Sequence, residues 1–389
     1  MIVNRWNTEF KHRLTPDYYQ SFGLGFYEYF QVAEDIGAEP LPILNCGMAC
    51  QFNTGEVVPL DQLDPYIQDA LDLIEFANGS PESTWGKKRA DMGHPEPFNM
   101  KYLGIGNEQW GEQYIERYKI FEEILKEQHP EITLVSTTGP FPEGKEFDYL
   151  RKTLVDLDAE LIDEHYYKPP VWFRENATRY DSYDRNGPKV FAGEYAAQSV
   201  AIASPDNKNN WECAMSEAAF MTGLERNAEV VVMASYAPLF AHSEGWQWTP
   251  DLIWVDNLTV YGTPNYYVQK MFSTNSGTHV LPILAGEKPL TGQNELYATA
   301  ALDEATDEII LKIVNTSDKE QKKEIVVEGV KKFGSKGTMT VLRSDKLDAV
   351  NSLDNPKAIY PVDEEIKVKG NKLNLTFAPY SVNVIRVKR

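Results

Sequence analysis

The sequence contains few cysteines: Cys46, Cys50 and Cys213 are the only three among 389 residues. An odd, sparse set without a repeating spacing argues against a disulfide framework. Cys46 and Cys50 lie four positions apart, but no Cys or His pair with a matching spacing occurs elsewhere. A zinc site is therefore not expected, and we predict no metal.

Long apolar runs and an excess of basic residues are also lacking. No stretch approaches the roughly 20 apolar residues of a membrane span, and the N-terminal residues MIVNRWNTEFKHRL lack the apolar core of a signal peptide. The formal net charge is -20, which argues against nucleic acid or an anionic membrane as a partner. A neutral substrate such as a sugar fits better, although acidic surfaces also serve solubility alone. The compartment is left open.

Short apolar runs alternate with amphipathic stretches between about Gly25 and Phe240. Runs rich in Val, Ile and Leu without polar alternation are typical of strands buried on both faces of a parallel sheet. The predicted strands are Leu41–Leu44, Lys101–Ile105, Ile132–Ser136, Leu161–Ile162, Val190–Ala192 and Glu229–Ala234, and the predicted helices are Gly25–Ile36, Leu63–Ala77, Tyr114–Gln128 and Trp211–Arg226. This alternation predicts an α/β fold, either doubly wound or a (β/α)8 barrel. No glycine-rich phosphate loop follows any strand, which weakens the nucleotide-binding version.

The pattern changes near Ser273. After a polar link, apolar residues alternate with period two in five runs: Glu308–Val314, Lys323–Glu328, Thr338–Leu342, Leu373–Phe377 and Ser381–Val387. Such runs, separated by turn residues, predict an antiparallel β-sandwich of about a hundred residues. We therefore predict a barrel domain over residues 1–274 and a sandwich domain over residues 275–389.

Two predicted strands end in a glutamate. Glu108 follows Gly106-Asn107 after the Lys101–Ile105 run, and Glu194 follows Gly193 after the Val190–Ala192 run. Catalytic groups of parallel barrels lie at the C-terminal strand ends, and a carboxylate pair there suits retaining glycoside hydrolysis, with one acid/base and one nucleophile. Salt-bridged structural glutamates are the alternative. Two such residues on different strand ends favour catalysis.

Further candidate residues are more ambiguous. His165 either orients a neighbouring carboxylate, binds a sugar hydroxyl or is a hydrogen-bonded core histidine. Tyr166 either donates its phenol hydrogen to the nucleophile or packs. Trp246 and Trp248, in the loop after the last strand, either stack on a sugar or pack in the loop.

Several motifs resemble the α-L-arabinofuranosidases of glycoside hydrolase family 51. They cover nearly the whole chain: AEDIGAEP, EFANG, WGKKRADMGHPEP, GIGNEQWG, EHYY, FAGEYAA, MASYAPLF, WTPDLIWVDN and YGTPNYYVQKMF. The resemblance implies a (β/α)8-type TIM barrel followed by an antiparallel β-sandwich, retention of anomeric configuration and no cofactor.

The resemblance also implies residue roles. Glu108 would be the acid/base and Glu194 the nucleophile, Asn107 would hold the sugar's 2-hydroxyl, and Tyr166 would hydrogen-bond the nucleophile. Where many members have a glutamine after the last strand, this chain has Thr259, with Asn257 nearby as a candidate sugar ligand.

The chain departs from the family at its start. Counting from the Leu41–Leu44 run as the third strand, strands three to eight are found and the first two are missing, together with the family's acidic residue and arginine that contact substrate there. Six strands cannot close an eight-strand barrel, so we expect a homo-oligomer or a further N-terminal segment.

The predicted function is removal of terminal α-L-arabinofuranosyl residues from arabinoxylan- or arabinan-type hemicellulose. The alternatives are another retaining glycosidase of this architecture, such as an endo-β-glucanase or β-xylosidase, and an inactive carbohydrate-binding fragment.

Overall fold

The computed structural model describes residues 24–389 except 247, 331 and 335, together with the backbone of one short antiparallel pair, β1 (Val3–Asn4) and β2 (Tyr19–Gln20). Its described residues form two compact units. The first comprises residues 24–166 and 186–193, and the second comprises residues 167–185 and 194–389. The predicted domain boundary after residue 274 stays a prediction.

The parallel strands predicted from the apolar runs are present. Six strands form one sheet in chain order: β3 (Ile43–Leu44), β4 (Tyr102–Ile105), β5 (Thr133–Thr137), β6 (Leu161–Lys168), β7 (Lys189–Ala197) and β8 (Val231–Tyr236). The parallel register pairs Ile43 with Gly104, Tyr102 with Thr133 and Val135 with Leu161. Because the strands are parallel, their C-terminal ends lie along one edge of the sheet.

The helices of the first unit are α1 (Phe26–Ile36), α2 (Asp64–Asn78), α3 (Thr84–Asp91), α4 (Glu112–Gln128) and α5 (Lys145–Asp156). All of them except α3 contribute apolar side chains to one core with the sheet. In α4, Tyr114, Tyr118, Phe121 and Leu125 are all fully buried, as steps of three and four residues predict. These side chains join Leu103, Ile105 and Leu134 of the strands in one core.

The second unit begins with α6 (Pro170–Glu175) and includes α7 (Trp211–Arg226) and α8 (Pro264–Ser273). Helix α7 is buried along nearly its whole length, from Trp211 to Leu224. A small sheet, in the order β11-β10-β9, is formed by β9 (Phe240–His242), β10 (Ile253–Val255) and β11 (Val260–Gly262). These strands follow β8 in the chain and carry the loop that contains Trp246.

The C-terminal part of the second unit is antiparallel. Its main sheet has the order β12-β15-β16-β21-β18-β19, and its core contains Leu311, Ile313, Leu375 and Ile385. The strands are β12 (His279–Leu281), β13 (Leu284–Ala285), β14 (Lys288–Pro289), β15 (Leu296–Asp303), β16 (Glu308–Asn315), β17 (Gln321–Val326), β18 (Lys336–Arg343), β19 (Val362–Lys367), β20 (Lys372–Phe377) and β21 (Ser381–Lys388). Strand β17 pairs with β20, and β13 pairs with β14.

Among the residues that the structure describes, no helix is both long and apolar enough to cross a bilayer.

Candidate active site

Glu108 lies just beyond the C-terminal end of β4, on a turn that requires unusual backbone angles. Gly106 has a φ of 75°, and a Cβ there would lie 2.7 Å from Gln109 Oε1 and 2.9 Å from Cys46 Sγ. Glu108 itself has a φ of 58°. This left-handed conformation costs a non-glycine residue about 1–2 kcal/mol. Strained backbone of this kind clusters at functional sites, where the surrounding structure holds it in place.

His165 contacts the Glu108 carboxylate through one ring nitrogen and Asp163 through the other. Its Nδ1 lies 2.9 Å from Glu108 Oε1, and its Nε2 lies 2.9 Å from Asp163 Oδ2. The ring is fully buried. Of the three interpretations of His165, orientation of a neighbouring carboxylate is the one these contacts support. Both ring nitrogens thus face carboxylates, which fixes the orientation of the ring and of the Glu108 carboxyl group.

Asp163 extends this hydrogen-bond chain to strand β7. The backbone N–H of Gly193 donates to Asp163 Oδ1 at 3.1 Å. A Cβ at Gly193 would lie only 2.1 Å from that oxygen, so the close approach requires glycine. The next residue in the chain is Glu194. Hydrogen bonds within the first unit therefore connect Glu108, through His165 and Asp163, to Gly193. Gly193 directly precedes the second candidate carboxylate.

A tyrosine hydroxyl holds Glu194, and it belongs to Tyr167. Tyr167 donates to Glu194 Oε2 at 2.6 Å, whereas the Tyr166 hydroxyl donates to Glu164 Oε2 at 2.8 Å. Assigning this hydrogen bond to Tyr166 is thus wrong by one residue. Successive side chains of a strand point to opposite faces, so Asp163, His165 and Tyr167 share one face of β6. Glu164 and Tyr166 lie on the other, where both are fully buried.

The remaining candidate residues are less constrained. Asn107 and Asn257 are exposed, and His242 Nε2 lies 3.4 Å from Asn257 Oδ1. Trp246 is half-buried and packs edge-on against Trp254, with ring centroids 6.2 Å apart. The hydroxyl of Thr259 donates to Asp256. The sugar-binding roles of Asn107, His165, Tyr166, Trp246 and Asn257 stay predictions.

Two residues of the site, Asp163 and Tyr167, were not among the candidates. Both are two positions from His165, which is the spacing of side chains on one face of a strand. That spacing points to both residues, and Tyr167 is also the last residue of the EHYY motif. The predicted Leu161–Ile162 strand was too short to apply it, because the polar residues that follow end the apolar run.

Buried Glu217 of α7 fixes the end of β7 beyond Glu194. Its Oε1 accepts the backbone N–H of Ala197 at 2.7 Å, and its Oε2 accepts Asn265 Nδ2 at 2.7 Å. Burial raises the pKa of this carboxyl to about 8, although the hydrogen bonds from Ala197 and Asn265 act to lower it. The folded protein therefore holds the Glu217 proton more tightly than the unfolded chain does.

We expect Glu217 to lower the free energy of unfolding as the pH rises. This carboxyl has no effect below its unfolded pKa of 4.5, and it destabilises the fold progressively up to about pH 8. The difference corresponds to at most about 5 kcal/mol. Glu217→Gln should remove this dependence. Its amide can donate to Asn265 Oδ1, which has no partner among the described residues, when the Asn265 side-chain amide turns over and exchanges the places of Nδ2 and Oδ1. Urea unfolding at pH 5 and pH 8.5 measures the effect.

The matched control for this experiment is Glu229→Gln, at a side chain that is 81% exposed. This variant should retain the wild-type change of unfolding free energy between the two pH values. If Glu217→Gln retains it as well, the Glu217 assignment is contradicted.

Comparison with known proteins assigns both parts of the chain to one family. A family model described as the alpha-L-arabinofuranosidase 1 domain matches residues 2–185, and another described as the alpha-L-arabinofuranosidase C-terminal domain matches residues 193–381. The extracellular exo-alpha-L-arabinofuranosidase of Streptomyces chartreusis is 49% identical over 276 residues, which is 70% of this chain and 32% of that protein. Alpha-L-arabinofuranosidase 2 of Arabidopsis thaliana is 36% identical over 355 residues, 90% of this chain and 49% of that protein.

Solved structures agree with the predicted architecture. The arabinose-bound α-L-arabinofuranosidase MgGH51 matches with a TM-score of 0.84 at 32% identity, over 96% of this chain and 58% of that one. An alpha-L-arabinofuranosidase from Thermotoga maritima, solved as an arabinose complex, has a TM-score of 0.71 at 21% identity, over 98% of this chain and 85% of that one. Together with the six-stranded parallel sheet and the antiparallel C-terminal sheet, these matches confirm the TIM-barrel fold with a β-sandwich.

The chain spans about half the length, or less, of these curated relatives. The two family models nevertheless match residues 2–185 and 193–381 in succession. The chain therefore belongs to the α-L-arabinofuranosidases of glycoside hydrolase family 51.

Proposed function

We propose that this chain carries the catalytic residues of a retaining glycosidase that removes terminal α-L-arabinofuranosyl residues from arabinoxylan- or arabinan-type hemicellulose. One observation carries the proposal: Glu108 is hydrogen-bonded to His165, His165 to Asp163, and Asp163 to the backbone of Gly193, directly before Glu194. Two relatives, from Streptomyces chartreusis and Arabidopsis thaliana, are named as arabinofuranosidases. This similarity supports the choice of sugar.

The mechanism uses the two glutamates in separate roles. In the first step, Glu108 protonates the leaving glycosidic oxygen while Glu194 attacks the anomeric carbon, which forms a covalent arabinofuranosyl intermediate. In the second step, Glu108 removes a proton from water, and the water oxygen displaces Glu194. Two displacements at one carbon retain its configuration. The Tyr167 hydroxyl, which donates to Glu194 Oε2, favours the ionised nucleophile and fixes its orientation.

Other residues of the chain complete the proposed site. Asn107, adjacent to the acid/base, is proposed to hydrogen-bond the sugar's 2-hydroxyl, and Trp246 and Asn257 are proposed to contact the substrate from the loops after β8. No cofactor takes part in the proposed mechanism.

Homo-oligomerisation, or a further segment that covers the first unit, stays a prediction. Helix α1 exposes Tyr29, Val32 and Ile36, whose exposed fractions are 61%, 55% and 73%. Steps of three and four residues place them on one helix face. An apolar face of this kind supports the presence of a covering surface.

A panel of 4-nitrophenyl glycosides tests the proposed function. We expect kcat/KM on the α-L-arabinofuranoside to exceed that on the β-D-xyloside and the β-D-glucoside by at least about 100-fold, because a site built around one set of hydroxyls rejects another. Proton NMR of the first product should show the retained anomer. Comparable turnover of the xyloside or glucoside would favour another retaining glycosidase of this architecture. Binding without turnover would favour an inactive carbohydrate-binding fragment.

A further inference from the structure

Asp163 is a buried carboxylate whose hydrogen bonds determine the tautomer of His165. Its side chain lies on β6, two residues before His165, and only 3% of the residue is exposed. Oδ1 accepts the Gly193 N–H, and Oδ2 faces His165 Nε2 at 2.9 Å. An ionised carboxylate only accepts hydrogen bonds. The hydrogen of this contact therefore belongs to His165, at Nε2.

This arrangement has a consequence at the other ring nitrogen. When a neutral imidazole carries its hydrogen at Nε2, Nδ1 presents a lone pair. Nδ1 lies 2.9 Å from Glu108 Oε1, a distance at which two lone pairs cannot face each other without a hydrogen between them. Glu108 carries that hydrogen when the ring is neutral, and Nδ1 carries it when the ring is protonated. The acid form of Glu108 is the one with which the first step begins.

We propose that Asp163 is a positioning residue, which acts through His165 to hold Glu108 in its acid form before the glycosidic bond is cleaved. The inference rests on the proposed function, because it assumes that Glu108 is the general acid. It adds a carboxylate that touches neither the sugar nor the reacting atoms. It also explains why a buried acid lies two residues from the histidine, with a glycine N–H as its second donor.

Asp163→Asn tests the proposal because an amide cannot satisfy both partners of Asp163 unchanged. The Gly193 N–H still requires an acceptor, so the amide oxygen takes that place and the amide nitrogen turns toward His165 Nε2. Nε2 must then present its lone pair, and the ring hydrogen moves to Nδ1. From Nδ1 it donates to Glu108 and favours the ionised carboxylate. The variant should be a poor acid catalyst with an intact nucleophile.

The expected kinetic signature depends on the leaving group. For a substrate with a poor leaving group, an arabinofuranosyl-substituted xylo-oligosaccharide, kcat/KM should decrease by about 100-fold or more, which is the contribution of a general acid. For 4-nitrophenyl α-L-arabinofuranoside, whose phenolate leaves with little protonation, the decrease should be less than about fivefold, since the acid contributes little to that step. Equal decreases for the two substrates would show a merely structural role and overturn the proposal.

A second readout does not depend on turnover. The chain has six histidines, so nitrogen-15 NMR with His165→Gln as the assignment reference can identify the His165 signals. The wild-type chain should show the hydrogen at Nε2, and Asp163→Asn should show it at Nδ1. An unchanged tautomer in the variant overturns the proposal. If the wild-type chain cleaves neither substrate, the proposed function fails, and the tautomer measurement still decides the role of Asp163 toward His165.

Glu164→Gln provides the matched control. Glu164 is the adjacent residue of β6, is fully buried, and accepts a hydrogen bond from Tyr166 on the opposite face. Its replacement likewise removes one buried carboxylate from the same strand. Any general loosening of β6 should lower kcat/KM for both substrates by the same factor, without moving the His165 hydrogen. A leaving-group effect in this variant equal to that of Asp163→Asn would count against the proposal.

Discussion

Replacing Glu194 by alanine should lower kcat for 4-nitrophenyl α-L-arabinofuranoside by roughly 10⁴-fold or more, because the covalent intermediate cannot form without its nucleophile. Glu194→Gln should behave in the same way, although its amide can still accept the Tyr167 hydrogen bond. Intact-protein mass spectrometry with a mechanism-based arabinofuranosyl inhibitor should show one covalent adduct on the wild-type chain and none on either variant.

Glu229→Ala is the control for this experiment. Its side chain is largely exposed and lies outside the proposed site, so activity should stay within about twofold of wild type, as for most exposed positions. Wild-type-like turnover by Glu194→Ala would refute the nucleophile assignment. A separation of about 5–5.5 Å between the Glu108 and Glu194 carboxyl groups in a crystal structure would support retention, and about 6.5–9.5 Å would indicate inversion.

Glu108→Ala should also lose activity, but here azide should restore turnover. Removing the acid/base should lower kcat by about 10²–10⁴-fold, since no group then activates the water that hydrolyses the intermediate. With 4-nitrophenyl α-L-arabinofuranoside the first step still proceeds, and azide, which needs no general base, attacks the intermediate in place of water. The rate should rise with azide concentration, and the product should be α-L-arabinofuranosyl azide.

The wild-type chain and Glu116→Ala, which alters an exposed glutamate of α4, should show no acceleration by azide. If Glu108→Ala is inactive with and without azide although its circular dichroism is unchanged, Glu108 is not the acid/base. If the azide product has the β configuration, the reaction does not proceed through the proposed covalent intermediate.

The sequence predicted those helices and strands whose buried residues are apolar. Strand β4 and helices α2 and α4 are periodic or continuous in apolar residues, and their observed bounds differ from the predicted ones by one or two residues. Helix α3 was missed because its described buried residues are Gly86 and Arg89. The Arg89 guanidinium donates to four backbone oxygens, those of Phe76, Gly79, His94 and Pro95. Hydrophobic periodicity cannot reveal a helix that is anchored by a buried cation.

The candidate site residues were likewise predicted only where a local apolar pattern marked their positions. Glu108 and Glu194 were found because each interrupts an apolar run at its end, where a polar residue stands out. Asp163 and Tyr167 lie within β6 after its two apolar residues. The polar residues of this strand are also buried, but their side chains are held by hydrogen bonds and not by apolar packing. Local patterns fail where function requires polar residues in an interior. The choice between Tyr166 and Tyr167 depends on which face of β6 each residue occupies, and the short predicted strand did not determine it.

The left-handed backbone of Glu108 places activity and stability in opposition at one residue. At a φ of 58°, glycine or asparagine would be accommodated with less strain than glutamate. Selection for a more stable chain alone would therefore discard the proposed acid/base at this position, and only selection for turnover would keep it. Engineering of this chain for thermostability should accordingly exclude position 108 from any substitution that is ranked by folding energy.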